Sequence, residues 1–389
     1  MSISTATNWN YPTAVRFGPG RIRELGDACQ SLGIVNPLLV TDSGLSKLPL
    51  FDEVCHAAQR HSGQVGTFTD IEANPTGQHV DAGVRVFRAG GHDGVIALGG
   101  GSALDAAKAI ALMVGQQRPL WEFEDVGDNW TRVDPSGMVP VVAVPTTSGT
   151  GSEVGRASVI TDTSNHTKKI IFHPKMLPPV VIADPELTLG LPRQLTATVG
   201  MDALSHNLEA FCAPGNHPMA DGIALEGMRL IAMHLATAVA EPANIEARSG
   251  MMIASMMGAT AFQKGLGAMH SMAHVVGGQL NAHHGETIAV VMPYVLRANQ
   301  NAIHDRLGRL SRHIDLGSPT FSAFVDWVLG LRDAFGIPDT LASLGVQEHH
   351  VKGFATAAVA DPSTGTNPIP FAASDFERLF ADAISGFGS

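Results

Sequence analysis

Four histidines, His270, His274, His283 and His284, fall within the 19 residues AMHSMAHVVGGQLNAHHGE at 268–286. The whole chain holds 17 in 389, so a window of this length should hold about one. An imidazole can ligate a divalent metal, carry a proton or fill space. His270 and His274 are four residues apart, which sets both side chains on one face of a helix. Asp202 and His206 repeat that spacing in GMDALSHNLEAF. One carboxylate with several imidazoles suits a first-row divalent cation such as Fe(II), Zn(II), Mn(II) or Ni(II). Ligands drawn from three segments can leave a coordination position open for substrate. Spacing alone leaves open whether His274 ligates, and which of His283 and His284 does.

A second chemistry is written in glycines. LGGGS at 98–102 follows the apolar run GVIAL and opens a helical pattern from Ala103. Glycines at a strand end let backbone N–H groups approach a phosphate, and a helix N-terminus adds a favourable dipole. Thr41-Asp42 closes the run PLLVT, and an acid at a strand end can accept from a ribose 2′-OH and repel a 2′-phosphate. PTTSGTGSE at 145–153 again follows an apolar run and suits a loop wrapped around a polar ligand. Singly these are equally a tight turn, a capping aspartate and an ordinary Ser/Gly loop. Three such loops at strand C-terminal ends mark the ligand edge of a parallel sheet.

These residues need elements to hold them. Apolar runs at 37–41, 64–68, 94–98, 139–144 and 180–182 alternate with helical patterns at 21–32, 51–60, 77–89 and 103–113. Such alternation predicts a parallel sheet covered by helices. Residues 158–171 read as an inserted β-hairpin. The rhythm changes within 184–191. Beyond it lie Ala-, Met- and Leu-rich helical patterns, such as 200–211, 222–240, 247–261 and 322–335, with almost no strand signal. The expected fold is α/β plus all-α: 1–187 as a dinucleotide-binding parallel-sheet domain, 188–389 as a helical metal- and substrate-binding domain. DPSTGTNPIP at 361–370 reads as a loop.

Composition narrows the partners. The chain is 44% hydrophobic and 16% charged, which is globular, with a net charge of −11 and no Lys/Arg cluster, a poor match for nucleic acid or an anionic membrane. No unbroken run of about 18 apolar residues predicts a membrane span, and the N-terminus lacks the pattern of a signal peptide. Cys29, Cys55 and Cys212 are far apart and form no CxxC, which fits a reducing cytosol.

The sequence resembles the iron-containing (group III) alcohol dehydrogenases over nearly its whole length. The matching blocks are FGPG (17–20), GGGSALDAAKA (99–109), PTTSGTGSE, ADPELT (183–188), GMDALSH (200–206), AFQKGLGAMHSMAH (261–274) and HHG (283–285). The resemblance implies a dehydroquinate-synthase-like architecture. It implies Asp202, His206, His270 and His284 as metal ligands, His284 because the family's ligand directly precedes the glycine. His274 matches a histidine implicated in proton transfer near the nicotinamide. Gly99, Gly100, Gly101 and Ser102 match the pyrophosphate loop, and Asp105 sits in the same block. Thr146, Thr147 and Thr150 match the loop around the nucleotide, and Asp42 the acid that favours NAD over NADP. Lys169 matches a lysine that reaches the cofactor ribose, and Phe262 an aromatic residue of the substrate channel. The chain departs from many relatives in Val275, which replaces a proline, and in the extra His283.

The activity implied is a reversible NAD(H)-linked oxidation of a small primary alcohol, diol or aldehyde partner, with one divalent metal, iron by family. A cytoplasmic homodimer or larger homo-oligomer is expected. Rival expectations are a glycerol-dehydrogenase-like or maleylacetate-reductase-like enzyme on the same fold, or a metal-dependent hydrolase. Lys264 is expected either to stand near the channel, favouring a substrate with a distal anionic group, or to be solvated. Met256, Met257, Met269 and Met272 are expected to line or back an apolar pocket beside Phe262, or to be core.

Overall fold

The computed structural model describes residues 11, 13–61 and 64–386. Contacts divide it into two compact units, one of residues 11–147 and 151–190, the other of residues 148–150 and 191 onward.

The first unit holds a six-stranded sheet and a hairpin. Its strands are β1 (Ala14–Phe17), β2 (Pro37–Asp42), β3 (Gly66–Ile71), β4 (Gly94–Gly99), β5 (Val141–Pro145), β6 (Ala157–Asp162), β7 (Thr167–Phe172) and β8 (Val180–Ala183). Its helices are α1 (Leu25–Ser31), α2 (Pro49–Ala58), α3 (Gly77–Gly90) and α4 (Gly101–Met113). The sheet order is β1-β8-β5-β4-β2-β3, with every pairing parallel. β4 and β5 are buried at every residue, as strands covered on both faces must be, and this is why they read as unbroken apolar runs. β6 and β7 pair antiparallel as the predicted hairpin. β1 was not predicted: four residues, AVRF, carry too little pattern, and the strand is recognisable only from its pairing with β8. Strand order reverses between β2 and β4. The β2, β4 and β5 C-terminal ends, bearing Asp42, Gly99 and Pro145, therefore lie at the crevice where parallel α/β sheets take ligands.

The second unit is helical, with α5 (Arg193–Cys212), α6 (Pro218–Ala240), α7 (Ile245–Ala261), α8 (Ala268–Leu280), α9 (His284–His313), α10 (Phe321–Ala334), α11 (Val351–Ala360) and α12 (Ala373–Ser385). α5 is buried nearly all round and forms the hub, packing on α6, α7 and α9. α6 alone among the described residues reaches the length and mean hydropathy of a membrane span. Its apolar residues instead pack on α5 and α7, and Asp221, Glu226 and Arg229 interrupt it. The α/β-then-helical order is the fold class that the sequence predicts.

Candidate metal centre and nucleotide loops

The i, i+4 spacing on α5 sets Asp202 and His206 on one face, and α8 brings His270 to them. One ligand atom from each of these three buried residues lies within 4.8 Å of the others. His284, the first residue of α9, places Nε2 3.5 Å from Asp202 Oδ1, with its ring centroid 5.4 Å from that of His270. Its side chain is 23% exposed against 6% or less for the other three, so it forms the open side of the cluster. The glycine after it is a steric requirement. A Cβ on Gly285 would stand 2.4 Å from the Thr198 carbonyl oxygen, so only glycine lets the first turn of α9 come this close to α5.

The tautomers follow from what each ring touches. His206 Nδ1 lies 3.2 Å from the Gly149 carbonyl, which can only accept. His270 Nδ1 lies 2.6 Å from Glu209 Oε2, and His274 Nδ1 2.9 Å from Asp361 Oδ2. In each neutral ring Nδ1 therefore carries the proton and Nε2 the lone pair. Burial pushes the His206 pKa down to about 4, which keeps it in the ligating form. For His270 burial acts the same way, but the Glu209 hydrogen bond and the charges of Glu209, Asp202 and Asp361 outweigh it and raise the pKa. An environment that favours a proton at this ring favours a cation beside it.

The donor set fits a divalent metal. His270 Nε2 and Asp202 Oδ1 are buried without a hydrogen-bond partner among the described residues, a costly state that coordination relieves. Asp202, His206, His270 and His284 supply the mixed nitrogen and oxygen donors such ions take.

Behind the cluster lies a segment that the sequence did not flag. Residues 361–370, read as a loop, contain the turn Pro362–Thr366 and run along α8. Asp361 holds His274, Thr364 Oγ1 lies 2.7 Å from Ser271 Oγ, Thr366 Oγ1 donates to the Leu266 carbonyl, and Asn367 Oδ1 accepts from the Ala268 N–H. Glu209 was also missed, although it lies seven residues after Asp202 on the same helical face, a period-matched signal in a motif already singled out.

His283 caps α9, its Nδ1 accepting from the Glu286 N–H at 3.3 Å, and is exposed. The Phe262 ring lies 5.2 Å from that of His206. Lys264 is not solvated: its side chain is 2% exposed, and its Nζ donates to Asp221 Oδ1 at 2.5 Å and to the Phe211 carbonyl. It is a buried tie between α6 and the end of α7. Met269 and Met272 are core, while Met256 and Met257 are half-buried.

In the α/β unit, Gly99 takes φ +138°, and a Cβ there would stand 2.8 Å from that of Ala103. Gly101 and Ser102 open α4, whose N-terminal end has Gly100 as its cap and no capping side chain, leaving its first amides to a ligand. Thr146 N–H donates to the Gly99 carbonyl, and Thr147 flanks Gly100. Asp42 Oδ1 accepts from the Gly44 and Leu45 N–H groups, so one oxygen holds the turn, while Oδ2 lies toward Gly99. Thr150, with Ser148 and Gly149, belongs to the helical unit. Lys169 Nζ is held by Glu124 and Asp162 at 3.3 and 3.2 Å and lies over the Trp121 ring. Asp105 acts on the protein itself, accepting from Ser152 Oγ and the Val159 N–H, beside the buried Lys108.

Residues 12–185 match the iron-containing alcohol dehydrogenase family, and residues 196–384 match the C-terminal region of the same family. The chain is 38% identical to the 4-hydroxybutyrate dehydrogenase of Cupriavidus necator, over 96% of this chain and 99% of that one. A solved 1,3-propanediol oxidoreductase superposes with a TM-score of 0.91 at 34% identity, over 97% of this chain and all of that one. The sulfoacetaldehyde reductase of Bifidobacterium kashiwanohense, solved with NAD+, gives 0.87 at 30% identity, over 98% of this chain and all of that one. The chain therefore belongs to the iron-containing alcohol dehydrogenase family and is an oxidoreductase acting on CH–OH groups.

Proposed function

We propose that the enzyme interconverts a small primary alcohol or diol with its aldehyde, using NAD(H) and one divalent metal held by Asp202, His206, His270 and His284. The observation that carries this is the convergence of imidazoles whose Nδ1 atoms are tied to acceptors, leaving Nε2 of His206 and His270 beside Asp202. Bound there, a divalent cation supplies Lewis acidity toward the substrate oxygen, and the nicotinamide supplies hydride transfer. The protein does the rest. Phe262 presents an apolar surface beside His206 for the substrate carbon chain. His274, its Nδ1–H held by Asp361, takes the alcohol proton at Nε2 and passes it on. The amides opening α4 receive the pyrophosphate, with Thr146 and Thr147 flanking it and Asp42 Oδ2 set to accept from the ribose 2′-OH. Lys169 takes a remaining contact at the ribose. The Cupriavidus relative and the propanediol oxidoreductase, by their names, act on short hydroxy-terminated chains, which supports that substrate class. Three free cysteines support a reducing, cytoplasmic setting, and the family's habit supports a homodimer or larger homo-oligomer.

The test is anaerobic NADH oxidation against a panel of short aldehydes, with metal-stripped enzyme reloaded with Fe(II), Zn(II), Mn(II) or Ni(II) in parallel. Turnover that needs the metal and falls with NADPH is expected. Equal turnover without metal would overturn the metal role, and absence of NADH binding would overturn the nucleotide role.

A further inference from the structure

The chemistry above uses Glu209 only as the acceptor for His270 Nδ1, yet it is a carboxylate buried in the helical unit, 5% exposed. It lies on α5 three residues after His206, and its two oxygens have different partners. Oε2 lies 2.6 Å from His270 Nδ1, and Oε1 accepts from the Met269 N–H at 2.8 Å. Met269 N–H is one of the first amides of α8, a helix that begins after Gly267 and has no capping side chain of its own. A carboxylate at that end is favoured by the helix dipole. The glycine admits it: a Cβ on Gly267 would stand 2.8 Å from Glu209 Oε1 and 2.9 Å from Asn367 Oδ1. One side chain of α5 thus fixes both the first turn of α8 and the ring carried on that turn. The far nitrogen of the same ring, Nε2, is the buried atom without a hydrogen-bond partner.

A helix cap alone would need only Oε1. The second oxygen, directed to the ring of a ligand, needs another reason. We infer that Glu209 is a positioning residue for the metal. It keeps the proton of His270 on Nδ1, fixes the plane of the ring so that the Nε2 lone pair faces the cation, and through its charge makes that nitrogen a stronger donor. A carboxylate behind a ligating imidazole does this generally, and its loss weakens metal binding about 10- to 100-fold. The inference rests on the metal-centre reading. It goes beyond it in placing part of the affinity on a residue that never touches the metal.

The experiment measures Zn(II) affinity of the full-length, metal-stripped enzyme by competition with a chromophoric chelator. Wild type is compared with Glu209→Gln and Glu209→Asp, and NADH binding and the melting temperature of the metal-free protein are followed in parallel. Gln offers one acceptor oxygen where two are used; Asp keeps the charge on a shorter arm. We expect one Zn(II) per wild-type chain, affinity about 10- to 100-fold weaker in Glu209→Gln, and an intermediate value in Glu209→Asp. NADH binding should be unchanged. The visible spectrum of the Co(II)-loaded enzyme should shift in Glu209→Gln, which loss of a helix cap would not cause. Wild-type-like Zn(II) affinity in Glu209→Gln would overturn this inference and leave the metal centre standing. Loss of Zn(II) together with NADH binding and metal-free stability would make Glu209 a structural cap only, and would also overturn it. A wild-type chain that binds neither Zn(II) nor Fe(II) would overturn both readings.

Discussion

An imidazole has two ring nitrogens, and whatever holds one decides what the other can do. In His206, His270 and His274 the held nitrogen is Nδ1, but the holders differ: a backbone carbonyl, a capping carboxylate and a carboxylate from a distant turn. Asp361 is well suited to its task. Burial pushes its pKa up, but the His274 charge and the hydrogen bonds from His274 and Ser363 outweigh this and hold it at about 2, so it stays an acceptor at working pH. His274→Ala should keep the metal and lower kcat roughly 100-fold. Asp361→Asn should lower kcat by less with little change in KM; metal loss in His274→Ala, read by elemental analysis, would make that histidine a ligand instead. The adjacent histidines should separate cleanly. His284→Ala should strongly reduce bound metal and activity. His283→Ala should keep both and lose a helix cap, about 1 kcal/mol in denaturant unfolding. Asp42→Gly should improve use of NADP relative to NAD; an unchanged ratio of kcat/KM values would remove Asp42 from the ribose, leaving it only its turn.

At the scale of the element, the metal centre depends on how closely helices approach. Asp202 and His206 were legible because their helical spacing repeats that of His270 and His274, and LGGGS because glycines followed an apolar run. Asp361 was not, since it meets His274 across 87 positions of sequence and sits in a Ser/Thr/Gly/Pro stretch that reads as a loop. Nor were the partners of Lys264: a lysine beside a channel motif reads as a substrate contact or a solvated charge, and its two acceptors, on Asp221 and Phe211, lie more than forty residues away. The glycine of HHG reads as a motif letter in sequence and as a packing constraint in space. Gly285→Ala should cost about 1–3 kcal/mol by overpacking α9 against α5. It should also weaken metal binding, because His284 rides on the displaced turn. Wild-type metal content at an unchanged melting temperature would show that the helices can part without cost.

At the scale of the whole molecule, the α/β unit carries a charge cluster of its own. Lys108 is fully buried on α4, donating to the carbonyls of Ser152 and Ala157, with Asp105 3.3 Å away. Glu153 is buried with it, and burial raises its pKa to about 7 despite opposing backbone hydrogen bonding and the Lys108 charge. An acid whose pKa is higher folded than unfolded stabilises the fold fully below its unfolded value, near 4.5, and that contribution is lost as pH rises through about 7. Glu153→Gln should therefore melt higher than wild type above pH 7, with the difference closing toward pH 4.5. A constant gap across that range, measured by thermal melts, would mean that Glu153 does not titrate there.

The short stretch Ser148–Thr150 has a consequence for how this enzyme can be taken apart and recombined. Its three residues belong to the helical unit, although forty residues of the other unit follow them in the chain. The carbonyl of Gly149 is the acceptor that fixes the His206 ring. A chimaera joined at the inter-unit boundary near residue 190 would thus inherit His206 from one parent and its hydrogen-bond acceptor from the other. Swapping halves between relatives therefore joins four segments of described chain rather than two, and a donor for the helical half must bring its own copy of the 148–150 backbone.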